Sequence, residues 1–131
     1  MEKEIKIQSE IENFDLVENF LEEISNNLSF PQKLYSKIYL AVLEACNNAI
    51  IHGNKNDPQK MVTIKFIEHP KYFSISINDE GNGFDYEQIK DPTSRENIKN
   101  ESGRGIFIIR KMADNVEFLK QGKKIKIIFY K

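Results

Sequence analysis

The sequence predicts an α+β fold, a two-layer α/β sandwich with helices on one face of a mainly antiparallel, mixed sheet. Three observations carry this. The apolar period changes from two at the N-terminus to three and four beyond Ile11. Two pairs of alternating segments come later, each joined by a short turn. A further helical pattern separates the two pairs, the order expected when hairpins share one sheet and helices cover it.

Residues 3–8, KEIKIQ, alternate apolar and polar and read as a half-buried strand. From Ile11 the period lengthens, and Phe14, Val17, Leu21, Ile24 and Leu28 form one apolar stripe opposite an acidic face. Phe30-Pro31 breaks that helix and opens the next. In the second helix Leu34, Ile38, Ala41, Val42, Ala45 and Ala49 share a face, and Gly53-Asn54 marks its end. Residues 61–67 and 72–78 are strands of an antiparallel hairpin turning through EHPK. From Asp85 to Ser102 the chain is polar and without apolar period, which fits either a functional lid or disorder. GRGIFIIRKMAD is a third helix, and VEFLK with KIKIIFY closes the chain as a hairpin turning at Gln121-Gly122.

At 131 residues the chain fits one domain, 1–131, with a lid at about 84–104. Its single cysteine, Cys46, falls in an apolar helical pattern, which suits a buried thiol in a reducing compartment. No apolar run approaches a membrane span, and the opening MEKEIKIQSE is too charged for a secretory signal, so the expectation is a soluble cytoplasmic protein with no membrane partner. A net charge of −1 argues against direct nucleic-acid binding, which needs a basic face. Acidic residues crowd the first helix, while Lys120, Lys123, Lys124, Lys126 and Lys131 crowd the end. A solvated helix face and a basic strand edge explain this simply; a protein-docking surface is the alternative.

Glu44 and Asn48, four residues apart on the second helix, point about 40° from one another and are neighbours on one face. A carboxamide oxygen suits magnesium, which commonly takes one or two protein oxygens and fills the rest with water and phosphate. Glu44 can accept a proton from a hydroxyl or water approaching a terminal phosphate. The same pair would serve as a surface hydrogen bond. Asp79 follows an alternating strand and precedes Gly81 and Gly83, which permit positive φ and close approach of backbone to a ligand. As an acceptor only, an ionised Asp79 pairs with the amino group of adenine and opposes the carbonyl of guanine. A plain turn fits DEGNG as well.

Gly103 and Gly105 flank Arg104 just before the third helix, where free amides bind anions. Neither glycine pair is a dinucleotide fingerprint, since Tyr86 and Ile108 stand where a third glycine belongs. There is no Walker lysine motif. An EF-hand reading of DEGNGFDYE fails because Gly81 and Gly83 replace oxygen ligands. His52 falls near the apolar face of the second helix and reads as packed and hydrogen-bonded. His69, beside Pro70, reads as exposed.

Taken in order, E44ACNNAIIHGN, D79EGNGF and G103RGIFIIRKMAD resemble the N, G1 and G2 boxes of the GHKL (Bergerat-fold) ATPases. Within that superfamily the chain looks like the small bacterial anti-sigma-factor serine kinases, the RsbW-like family, over almost its whole length. The resemblance implies ATP bound between the second helix, the lid and the third helix, with Asn48 holding magnesium (Mg2+) and Glu44 as catalytic base. It implies that Asp79 reads adenine and that Gly81, Gly83, Gly103, Arg104 and Gly105 border the nucleotide. It also implies an activity: phosphorylation of a serine on a small anti-anti-sigma (STAS-type) protein, sequestration of a sigma factor, and a possible homodimer. Two other readings stand beside it, a nucleotide-gated binding module without catalysis and a detached histidine-kinase catalytic domain. Asn47 stands where these kinases usually have threonine, and Arg104 where they usually have an apolar residue. Arg104 could contact phosphate or face solvent, and Arg95 and Lys99 in the lid are alternative phosphate contacts.

Overall fold

The computed structural model describes residues 1–82 and 101–131, with 101–103 as backbone only. Strand β1 (Glu2–Gln8) leads through a short 3-10 turn into helix α1 (Phe14–Leu28). Ser29, in the left-handed region at φ 53°, ends α1, and Pro31 starts helix α2 (Gln32–Asn47). A π-helical turn, Asn48–Gly53, extends α2. Strands β2 (Met61–Glu68) and β3 (Tyr72–Asn78) form a hairpin. Helix α3 (Glu101–Met112) precedes strands β4 (Asn115–Leu119) and β5 (Lys124–Tyr130).

The strands form one sheet in the order β1-β2-β3-β5-β4. All of its ladders are antiparallel, so among the described residues the parallel pair that a mixed sheet would need does not occur. Period-two alternation sends Val62, Ile64 and Phe66 of β2 and Phe73, Ile75 and Ile77 of β3 toward the helices, with Ile125, Ile127 and Phe129 of β5. They meet Val17, Leu21 and Ile24 of α1, Ile38, Val42 and Ala45 of α2, and Ile106 and Ile109 of α3. The apolar stripes expected for the first two helices are the faces buried here, with Phe14, Leu28 and Leu34 partly covered at the margins. Cys46 is fully buried, and burial pushes its thiol up to about 12, leaving it protonated and inert.

One expectation about charge is corrected. β5 lies between β3 and β4, so Lys124 and Lys126 guard no sheet edge. Lys126 stands between Ser76 and Glu117, in a row that continues to Lys65 and Glu4 across the solvent-facing side. An oppositely charged neighbour across the strand, Glu117, explains Lys126 better than edge protection does, while Lys124 stands between Asn78 and Leu119. Asp15, Glu22 and Glu23 on α1 are exposed, as a solvated acidic face requires. No helix among the described residues is long and apolar enough to cross a membrane.

Candidate functional site

The site is built around the end of α2. Glu44 is half-buried on its last turn, and the N–H of Asn48 donates to the carbonyls of both Glu44 and Ala45. The ladder then widens: the N–H of Asn54 reaches back five residues to the carbonyl of Ala49 at 2.8 Å. Such π-turns insert one residue into a helix and are frequent at functional sites. The extra residue rotates the end of the helix relative to α2. His52 therefore lies exposed instead of packed on the apolar face where an unbroken α-helix would put it.

Asn48 is 5% exposed, and among the described residues neither its Oδ1 nor its Nδ2 has a hydrogen-bond partner. An unpaired polar group in that position costs about 1–3 kcal/mol, so a buried carboxamide with both ends free is the mark of a site that awaits a ligand. Gly105 lies directly over it. A Cβ at position 105 would stand 3.2 Å from Asn48 Nδ2 and from Glu44 Oε2, and 3.3 Å from Asn48 Oδ1. Glycine thus keeps open the space that Glu44 and Asn48 jointly face.

At the other end Asp79 is buried, 8% exposed. Its Oδ1 accepts from the N–H of Gly81 at 2.8 Å, and its own N–H donates to the carbonyl of Lys123 at 2.9 Å. Burial raises the Asp79 carboxyl above its ordinary value, against the Gly81 N–H and the charges of Lys123 and Lys60, which lower it. Two glycines fit around this carboxylate. A Cβ on Gly53 would fall 2.5 Å from Asp79 Oδ2, and one on Gly81 only 2.1 Å from the carbonyl oxygen of Gly53. Gly81 is required by that contact and not by a positive φ, which among the described glycines only Gly122 has.

Asn54 ties these pieces together. It is 1% exposed, and its Nδ2 donates to Ser9 Oγ at 2.7 Å and to the carbonyl of Met61 at 3.1 Å. Its Oδ1 accepts from the N–H of Glu80 at 2.8 Å. One carboxamide thereby joins the end of β1, the start of β2 and the turn that carries Asp79. The sequence placed Gly53-Asn54 only as a helix end. Neither the glycine's contact with Asp79 nor the polar staple was visible, because both partners are distant in sequence.

Glu44, Asn48 and Gly105 are thus gathered at one end, and Asp79 and Gly81 at the other. Gly103, Arg104 and Gly105 do not precede the third helix. They belong to its opening turns, since α3 starts at Glu101, so the last residues of the stretch read as a lid are helical. Gly83, Arg95 and Lys99, with the rest of that stretch through Asn100, lie outside the described residues. Arg104 is exposed and, with Glu44, Asn47, Gly105 and Ile108, lines a cleft of about 310 Å³. His69 is half-buried, not exposed: its ring stacks on Tyr72 at 4.2 Å and its Nε2 lies 3.0 Å from Ser74 Oγ. No group of three or more His, Cys, Asp or Glu side chains able to hold a metal occurs among the described residues.

Residues 7–129 match the family model of the histidine kinase-like ATPase domain. The chain is 33% identical over 132 residues to the anti-sigma F factor of Clostridium acetobutylicum, covering 98% of this chain and 91% of that protein. It is 27% identical over 124 residues to the serine-protein kinase RsbW of Oceanobacillus iheyensis, covering 90% and 78%. With the RsbW of Bacillus subtilis (strain 168) the identity is 24% over 119 residues, covering 86% and 74%. With this match over nearly its whole length, and with the α+β sandwich in hand, the chain belongs to the histidine kinase-like ATPase domain family, alongside the anti-sigma F factors and the RsbW kinases.

Proposed function

We propose that the chain is an ATP-dependent protein serine kinase of the anti-sigma type, which phosphorylates a small anti-anti-sigma (STAS-type) partner and sequesters a sigma factor in the cytoplasm. The observation that carries this reading is the buried, doubly unpartnered carboxamide of Asn48 beside Glu44. A magnesium–nucleotide fits it, because the oxygen is a hard neutral ligand and the amide nitrogen remains free to donate to a phosphate oxygen. Bound ATP with its metal supplies the phosphoryl group and offsets the charge on its oxygens.

Asn48 Oδ1 would hold the metal. Asp79 accepts from the adenine amino group, held in place by the Gly81 N–H and by the Asn54 staple behind the turn. Gly81 and Gly105 let backbone come close, with Gly83 and Gly103 assigned the same role. Glu44, half-buried next to Asn48, takes up the proton of the acceptor serine as its oxygen attacks. A single domain, 1–131, carries all these parts, with the lid ahead of α3. A homodimer is the assembly that accompanies this reading, and sedimentation checks it.

Transfer of label from γ-labelled ATP to proteins in an extract of the source organism tests the reading. A small protein labelled on serine by wild type and not by Glu44→Ala supports it. Normal ATP binding with no labelled protein would replace it with a nucleotide-gated binding module, and acid-labile phosphohistidine would point to a histidine kinase.

A further inference from the structure

The cleft beside Glu44 is lined without Asn48. It is bounded by Glu44, Asn47, Arg104, Gly105 and Ile108. Consecutive helical residues project about 100° apart. Asn47 therefore faces a different side of the helix from buried Asn48, and the Arg104 side chain leaves α3 away from the face that Gly105 lays on Glu44 and Asn48. Only Glu44 and Gly105, among the described residues, border both the Asn48 space and this outer cleft. Among the described residues Arg104 is exposed with no ion-pair partner and is the one cation lining the cleft. Asn47 and Arg104 are also the two positions that depart from the kinase pattern, and both stand here and not on the Asn48 and Asp79 side.

We propose that this outer cleft receives the acceptor serine and that Arg104 selects a partner that carries a carboxylate beside that serine; the proposal rests on the kinase reading of the same site. Glu44 must face the incoming hydroxyl to accept its proton, and the cleft is the solvent-open approach to Glu44 that does not pass through Asn48. An acidic partner arriving there meets repulsion from Glu44 and from the nucleotide phosphates. The planar guanidinium fork pairs two-pronged with a carboxylate and offsets that repulsion only when the acid lies within its reach. The Asn47 carboxamide, donor and acceptor at once, adds a contact to partner backbone, and half-buried Ile108 an apolar wall. In the transfer the serine Oγ–phosphorus bond forms, the bond from the γ-phosphorus to its bridging oxygen breaks, Glu44 takes the hydroxyl proton, and ADP leaves.

The test measures initial rates of serine labelling against concentration of the same extract, alongside ATP affinity by titration, for wild type, Arg104→Ala, Arg104→Lys and Arg104→Glu. The expected result is a half-saturating extract concentration raised roughly tenfold in Arg104→Ala, raised further in Arg104→Glu, and partly restored in Arg104→Lys. ATP affinity and melting temperature stay at wild-type values. The labelled serine, located by peptide sequencing and structure of the labelled protein, has a carboxylate beside it, and reversing that charge restores labelling by Arg104→Glu. A loss of ATP affinity in Arg104→Ala would overturn the proposal in favour of a phosphate contact. Unchanged labelling in all three variants would overturn it in favour of a solvent-facing arginine. If wild type binds ATP yet labels nothing, the kinase reading itself fails and this proposal falls with it.

Discussion

The two ends of the site are built in opposite ways. At the Asp79 end the polar groups that hold the site are tied to protein: Gly81 N–H on the carboxylate's Oδ1, Lys123 carbonyl on the Asp79 N–H, and Asn54 bonded to Ser9, Met61 and Glu80. At the Asn48 end both carboxamide atoms are buried and, among the described residues, left free, and a cleft lies beside them. The first arrangement is set before any ligand arrives, so it can discriminate between bases. The second holds unsatisfied bonding capacity, so its energy is released only when metal and phosphate fill it.

The strongest break in that contrast is Glu44→Ala. It should lower phosphotransfer by about 10²–10⁴-fold while leaving ATP affinity near wild type. Single-turnover labelling beside nucleotide titration measures both, and transfer at full rate would remove Glu44 from the role of base.

Asp79→Asn attacks the other end. Placing an amide where an acceptor is needed should weaken ATP binding by roughly tenfold to a hundredfold, with little change in GTP binding. The raised carboxyl also sets a pH dependence. A protonated Asp79 presents a donor to the adenine amino group, so wild-type ATP affinity should fall as pH drops through the raised native value. The stability link has a fixed sign. Because the native state holds this proton more tightly than the unfolded chain, the associated stabilisation is full below the unfolded value and lost as pH rises through the native one. Asp79→Asn should therefore gain stability relative to wild type at neutral pH, where the buried charge is costly, and lose that advantage in acid. Denaturant melts at both pH values check it, and a constant difference between the two proteins would contradict it.

Asn54→Ala sharpens the comparison, since it removes the staple without touching the ligand. It should cost about 1–3 kcal/mol of stability and lower base discrimination more than transfer rate, seen in melts and in the ATP-to-GTP affinity ratio. Gly105→Ala should be mildest in the fold and selective in function. Contacts of 3.2–3.3 Å call for shifts of a few tenths of an ångström, within about 1 kcal/mol of stability. Metal-dependent nucleotide binding should weaken, while magnesium-free binding changes less.

Periodicity showed each apolar face, because helices and strands bury residues by rules that act within one element. Glu44 with Asn48 was legible for the same reason, as one helix carries both. Asp79 was legible because an alternating strand ran into a glycine turn. Features that depend on packing between distant segments were not. Nothing in Gly53-Asn54 announces that the glycine abuts a carboxylate 26 residues on, or that Asn54 bonds to Ser9. The position of β5 inside the sheet follows from its pairing with β3 and not from its lysines. Gly103 and Gly105 read as standing just before the third helix, where free amides bind anions; α3 instead includes both, and at Gly105 close packing on Glu44 and Asn48 outweighs the cost of glycine in a helix.

The π-turn at Asn48–Gly53 acts as a phase shifter between these ends. Glu44 and Asn48 keep the rotational phase of α2, whereas Gly53 and Asn54 are carried one residue out of it. Closing the π-turn into an α-helix with all its residues kept would swing Gly53 and Asn54 by about 100° from Asp79, with Glu44 and Asn48 unmoved, whereas removing one residue between Ile50 and His52 would let an unbroken helix deliver them in the phase they hold now. That deletion should therefore keep the discrimination between nucleotides, whereas forcing α-helical pairing on the undeleted chain should leave metal, phosphate and base gathered and lose it.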